Sequence, residues 1–214
     1  MANLLNEDAT KQIKEVLKEM KKKITIIIFT KTGECNTCKE TKQFLQEIKP
    51  LNDKITVIEK DLEEDKPLAE KFNVTLAPTM IILDKDEKYQ GIKFTGIPAG
   101  HEINSFLSAI LTMSGKAIEI DEKTKTRIKN IDKPVNIKVF ITLSCPHCPG
   151  AVATAHALAY LNENVEAVMI ESQTFMDLAK EYKVSGVPKI VINDKYEIVG
   201  NQPIDAYLKE IEKI

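Results

Sequence analysis

Two cysteine pairs carry the chemistry open to this chain: Cys35-Asn36-Thr37-Cys38 and Cys145-Pro146-His147-Cys148, which hold all four cysteines of the 214 residues. Two thiols in a CxxC spacing lie on one turn of backbone, close enough to close a disulfide without moving it. Placed between a strand and a helix, the first thiol sits at the helix N-terminus, where free N–H groups and the positive end of the helix dipole favour thiolate over thiol. Cys35 and Cys145 are therefore expected to be exposed nucleophiles, with Cys38 and Cys148 as buried resolving thiols. The attacking thiolate forms a mixed disulfide with a substrate, and the resolving thiol releases it.

Four sulfurs can also hold zinc or an iron–sulfur cluster. Such sites usually join their two pairs through a spacer of roughly 12 to 20 residues. Here Cys38 and Cys145 are 107 positions apart, each in its own unit, so two redox sites are expected, with no metal and no cofactor.

Those units follow from an internal repeat. Adding 110 to a residue number carries Cys35 to Cys145, Cys38 to Cys148, Leu68 to Leu178, Ala69 to Ala179, Val74 to Val184, Pro78 to Pro188, Ile82 to Ile192 and Asp84 to Asp194. In the first unit an amphipathic helix (Ile13, Val16, Leu17, Met20) leads to a doubly buried strand from Ile24 to Phe29 and then to the CxxC. The order continues as helix 38–48, strand 55–59, helix 67–72, strand 79–83, strand 89–94 and helix 101–113. The second unit repeats it with a shorter hairpin. The expected units are 1–115 and 116–214, split near Ser114-Gly115, where glycine ends a helix. The alanine-rich helix 151–161 is suited to close packing on the other half. Each unit also has a proline before a strand, Ala77-Pro78 and Val187-Pro188, in a setting that suits a cis bond.

Composition narrows the setting. With 43% hydrophobic and 29% charged residues and a net charge of −2, the chain reads as an ordinary globular protein with no pull toward nucleic acid or anionic membrane. Met1 to Asp8 shows no export signal, and purely apolar runs such as Ile26 to Phe29 are far short of the roughly 20 residues that span a bilayer. A cytoplasmic protein is expected. Lys and Glu dominate the charges and Arg127 is the only arginine, a bias that fits a thermophilic source.

The order strand, CxxC, helix, strand, helix, X-Pro, strand, strand, helix resembles the thioredoxin fold. Two such units, together with Gly96-Ile97-Pro98-Ala99-Gly100-His101-Glu102, resemble the glutaredoxin-like protein disulfide oxidoreductases of hyperthermophilic archaea and bacteria. The resemblance implies an α/β fold of two tandem thioredoxin-fold units, each a central mixed sheet flanked by helices. It also implies reduction, oxidation and isomerisation of protein disulfides, with protein disulfides or dithiols as substrates and a thioredoxin-reductase-like flavoprotein as electron source. A narrower alternative is a dithiol electron carrier from a flavoprotein to a peroxiredoxin, as in the N-terminal region of alkyl hydroperoxide reductase flavoproteins, which usually keeps one working CxxC where both are intact here. The chain lacks tryptophan, so none precedes the motif. The strand before Cys35 also lacks the usual buried acid, which leaves Glu59, Lys60, Asp61 and Glu171 as candidate proton acceptors.

The two sites are not expected to be equivalent. Glu34 next to Cys35 disfavours its thiolate, whereas Pro146 at the first helical position and a partly protonated His147 favour that of Cys145. A stabilised thiolate makes its disulfide the better oxidant, so the C-terminal site is expected to be the more oxidising and the more active. His101 and His156 read as structural. Substrates are expected to pair, as extended chains, with the backbone at Ala77-Pro78 and Val187-Pro188.

Overall fold

The computed structural model describes residues 3–214, so Met1 and Ala2, where the expected first unit and the export-signal reading begin, lie outside the described residues. The first half runs α1 (Glu7–Leu17), β1 (Ile24–Thr30), α2 (Cys38–Ile48), β2 (Ile55–Asp61), α3 (Lys66–Lys71), β3 (Thr79–Leu83), β4 (Tyr89–Thr95) and α4 (Ile103–Met113). The second runs α5 (Glu122–Lys129), β5 (Val135–Ile141), α6 (Cys148–Leu161), β6 (Val165–Glu171), α7 (Met176–Glu181), β7 (Lys189–Ile192), β8 (Tyr196–Val199) and α8 (Ile204–Ile211). Elements and order are those of the sequence reading, with turns of 3-10 helix at Lys49–Leu51 after α2 and Gly100–Glu102 before α4. Local chemistry sets the boundaries: Asn6 and Asp121 cap α1 and α5 by accepting from the amides of Ala9 and Thr124.

The two halves share one sheet of eight strands in the order β2-β1-β3-β4-β6-β5-β7-β8. β4 and β6 join them in parallel, from Ile92 opposite Ala167 to Thr95 opposite Ile170. Gly91 makes this seam possible: its φ is +75° and a Cβ there would fall 2.4 Å from the Val165 carbonyl oxygen. β3 and β7 run against the other strands, so both strand-to-CxxC junctions and both X-Pro turns lie along the same edge of the sheet.

The alternation of strand residues divides the two faces unequally. Ile92 and Phe94 of β4, with Val165, Ala167 and Met169 of β6, face a single core that runs through both halves beneath α1, α2, α4, α5, α6 and α8. On the other face each half has one short helix over its own cluster: α3 covers Ile27, Phe29 and Ile81, and α7 covers Phe140, Ile170 and Val191. α6 binds the halves together on the crowded face. Its Ala151, Ala155 and Ala159 are buried, as expected of a helix that packs closely across the seam. His156 of α6 meets Phe94 of β4 edge-on at 4.7 Å between ring centroids and places Nε2 3.1 Å from the carbonyl oxygen of Lys93. Burial pushes the imidazole down to about 4, so it is neutral, the structural residue expected.

Candidate functional site

The four sulfurs are joined within their own motifs. Cys35–Cys38 and Cys145–Cys148 each form a disulfide with Cα atoms 5.5 Å apart. β1 and β5 are four strand positions apart, about 19 Å at the usual ~4.8 Å spacing. At that separation the four sulfurs do not meet in one metal shell.

In each motif the helix begins at the second cysteine rather than the first. Thr37 and His147 are the N-cap residues of α2 and α6, and the Thr37 carbonyl accepts the first helical bond from Thr41 at 2.9 Å. Pro146 therefore occupies a tight turn whose geometry it pre-sets, not the first helical position, and Pro149 takes the first turn of α6 without losing an intrahelical bond. Cys35 and Cys145 sit just ahead of the helix N-termini and Cys38 and Cys148 open the helices.

Exposure separates the two sites. Cys35 is half-buried above the buried Cys38. Cys145 departs from the exposed nucleophile expected: it is 8% accessible, and Cys148 below it is fully buried. Cys145 packs beside the second X-Pro turn. Its Sγ lies 3.8 Å from the carbonyl oxygen of Val187 in the Val187-Pro188 turn. The N-terminal half holds the loop that precedes Cys145, with the amide of His101 donating to the carbonyl of Leu143 at 3.0 Å. The counterpart of Leu143 in the first motif is Gly33, and there a Cβ would meet nothing within 4 Å. His147 and Pro146 lie on the exposed side of the turn. Both X-Pro bonds, Ala77-Pro78 and Val187-Pro188, are cis.

The first site instead opens onto a pocket of 550 Å³ with Cys35, Cys38, Lys42, Glu59, Lys60 and Asp61 in its lining. Three of the acid–base candidates of the sequence are here, already engaged. Glu59 is paired with Lys42 at 2.8 Å and Lys60 with Asp65 at 2.9 Å. Asp61 accepts from the amides of Glu63, Glu64 and Thr32, which hold its carboxyl below the usual range. The fourth, Glu171, is buried and accepts from the amides of Gln173 and Thr174 at 3.0 and 2.6 Å.

One buried carboxyl with a raised pKa was passed over by sequence reasoning. Glu102 is fully buried in the turn of helix that packs against α6. Burial pushes its carboxyl up to about 7, although the Ser105 hydroxyl donates to Oε2, and Oε1 has no hydrogen-bond partner. A group with this environment switches between acid and base near neutrality. The visible signal was a glutamate at the start of an otherwise apolar helix, in the Gly100-His101-Glu102 segment.

Known proteins agree with this architecture. The sequence profile of the family described as Thioredoxin matches residues 5–109, and that of the family described as Thioredoxin domain matches residues 135–213. The F subunit of alkyl hydroperoxide reductase in Staphylococcus aureus is 27% identical over 208 residues, 97% of this chain, and the chain spans 38% of the length of that relative. The structure of the alkylhydroperoxide reductase AhpF of Enterococcus faecalis superposes with a TM-score of 0.91 at 28% identity, covering 97% of this chain and 99% of that one. A protein disulfide oxidoreductase from Aeropyrum pernix superposes with a TM-score of 0.89 at 27% identity, covering 98% and 94%. The chain belongs to the thioredoxin-fold thiol–disulfide oxidoreductases, with a thioredoxin domain and a CxxC site in each half.

Proposed function

We propose that both sites work on protein disulfides, with Cys35 and Cys145 attacking and Cys38 and Cys148 resolving. The attacking thiolate bonds to one substrate sulfur and expels the other as thiolate. The resolving thiolate then closes the enzyme disulfide and releases the second substrate sulfur, so one disulfide is exchanged for another without an outside oxidant. The observation that carries this reading is the repeated arrangement of CxxC on a helix start beside a cis X-Pro turn. Substrate chains pair with the backbone at Ala77-Pro78 and Val187-Pro188 in the extended mode.

The C-terminal site is the more oxidising and the more active. His147 in its turn and the near-neutral carboxyl of Glu102 beside α6 favour loss of the thiol protons. The burial of Cys145 works against its thiolate and makes this site the more selective one. Insulin reduction by the full chain and by Cys35→Ser/Cys38→Ser and Cys145→Ser/Cys148→Ser variants tests the assignment; activity that survives in a chain lacking all four thiols sinks it.

A second reading is supported by the alkyl hydroperoxide reductase relatives: the chain as a dithiol carrier from a flavoprotein reductase to a peroxiredoxin. Peroxide turnover reconstituted with a thioredoxin-reductase-like flavoprotein and a peroxiredoxin, with insulin reduction negligible, favours it. We place the division between units near Gly115, which ends α4 with φ +98°, and the protein in the cytoplasm. Among the described residues no helix is long and apolar enough to cross a membrane.

A further inference from the structure

We propose that the open face of the sheet carries an additional binding cleft for an extended, unfolded polypeptide, running between the two halves from the Ala77-Pro78 turn. The inference rests on the reading of protein substrates above and adds where the rest of such a chain lies.

The cleft follows from helix number and strand spacing. The repeat displaces α7 from α3 by four strand positions, about 19 Å, and a helix with its side chains is about 10–12 Å across, which leaves a gap of roughly 8 Å. On the opposite face α4 and α6 fill the corresponding gap, whereas here no element covers it among the described residues. A further helix is too wide for the gap. One extended chain fits it.

The observed cavity has 330 Å³ of space. Its floor is the outward-facing set of the seam strands, Lys93 and Thr95 of β4 with Glu166 and Val168 of β6, and its two rims carry Leu76 and Leu178. The charges and hydroxyls of the floor are already paired, and this selects the class of ligand. Lys93 Nζ contacts Glu166 Oε1 and the carbonyl oxygen of Asn73, both at 2.9 Å, and the Thr79 and Thr95 hydroxyls share a hydrogen bond of 2.9 Å. No unpaired cation is offered to an anionic small molecule. What is offered is apolar wall at Leu76, Val168 and Leu178, and a mouth at Thr75-Leu76 continuous with the turn that meets the substrate's backbone. Binding there depends on apolar side chains near a substrate cysteine, which distinguishes unfolded from folded partners.

The absence of tryptophan from the chain gives a direct test. Thr75→Trp puts a single reporter on the exposed rim of the cleft, and Ile58→Trp puts one on the outer strand β2. Each full-length variant is titrated with a reduced, carboxamidomethylated polypeptide that lacks tryptophan. A saturable emission shift in the Thr75→Trp chain, with none in the Ile58→Trp chain, is the expected result; no saturable shift in the former, or an equal one in both, overturns the cleft. Val168→Arg, which blocks the floor, is expected to weaken binding of the dye-labelled polypeptide at least tenfold against the unmodified chain, and unchanged binding by the folded variant also overturns it. The alkylated ligand has no thiol to exchange, so this result stands apart from insulin reduction, which judges the oxidoreductase reading alone.

Discussion

The amide of His101 donates to the carbonyl of Leu143 at 3.0 Å, so a residue of the first thioredoxin domain holds the loop that leads into the CxxC of the second. The approach is close because Gly100 lies between them: its φ is +58°, and a Cβ there would sit 2.4 Å from the Leu143 carbonyl oxygen. Among the described residues no equivalent brace reaches Gly33 ahead of Cys35. The repeat thus yields two sites of one chemistry with unequal surroundings, one open and charged, one buried on a loop that the other domain holds.

Gly100→Ala is expected to disturb the second site selectively. An alanine at positive φ costs about 1 kcal/mol before any contact is counted, and the Leu143 carbonyl must also move. A fall in Tm of several degrees is expected, at about 2–4 °C per kcal/mol for a chain of this size. In a Cys35→Ser/Cys38→Ser background insulin reduction falls, while in a Cys145→Ser/Cys148→Ser background it holds. Equal losses at both sites contradict the brace.

Glu102 and His156 leave opposing marks on stability against pH. The Glu102 carboxyl titrates at about 7 in the folded chain against 4.5 when free, so between these values the native state holds the extra proton. Stability from this group is full below about 4.5 and declines as pH rises toward 7, by about 3 kcal/mol at most. His156 titrates at about 4 against 6.5, so the unfolded state holds the extra proton and stability is lost as pH falls from 6.5 to 4. The two slopes largely cancel between pH 4.5 and 6.5. Glu102→Gln removes one of them, and urea titrations at pH 5, 6 and 7 are expected to show the variant gaining on wild type as pH rises. A constant difference would place the carboxyl at an ordinary value.

The Glu102→Gln variant also tests the proton-exchange role. Reduction rates at the C-terminal site are expected to fall and to lose an inflection near pH 7, with the N-terminal site unaffected. A uniform fall at both sites with the inflection intact points to packing alone.

Much of this was legible in the sequence because it is local. The unbroken Ile26-Ile27-Ile28-Phe29 run gives a strand buried on both faces, and the register of Cys35 with Cys145 and Pro78 with Pro188 gives the repeat and both cis turns. The burial of Cys145 was not legible, because the Val187 carbonyl beside its Sγ and the His101 amide that holds its loop come from segments distant in the chain. Glu102 was passed over for the same reason: its environment is made by α6, distant in the chain. The start of α2 at Cys38 was read as the structure has it, whereas the start of α6 moved from Pro146 to Cys148 because Pro146 and His147 form a turn first.

Site-resolved redox potentials are expected to rank Cys145–Cys148 above Cys35–Cys38. His147→Gln removes the imidazole from the turn between Cys145 and Cys148 and should lower the C-terminal potential toward that of the other site. Glutathione equilibration of the single-site chains reads both values. A lower potential at Cys145–Cys148 than at Cys35–Cys38 rules the ranking out and makes the burial of Cys145 the dominant influence.

An ion pair crosses the seam where β4 and β6 join the two halves in one sheet. The Lys93 ammonium is 5% exposed and pairs with Glu166, whose side chain is 21% exposed, at 2.9 Å. Tyr89 donates to the same carboxylate at 3.1 Å. Burial lowers the pKa of Lys93 and Glu166 opposes that shift. Glu166→Gln strands the cation, and breaking a pair of this kind costs about 3 kcal/mol. Lys93→Met should cost less, since the remaining carboxylate is nearer water and keeps its phenol. The double variant should recover most of the loss, since neither charge remains to be buried. A lysine with depressed pKa loses stability as pH falls, and without Glu166 the depression deepens. The deficit of Glu166→Gln against wild type is therefore expected to shrink as melts are moved from pH 7 to pH 10, and a deficit that is constant over that range shows that the carboxylate holds the seam by packing rather than by charge.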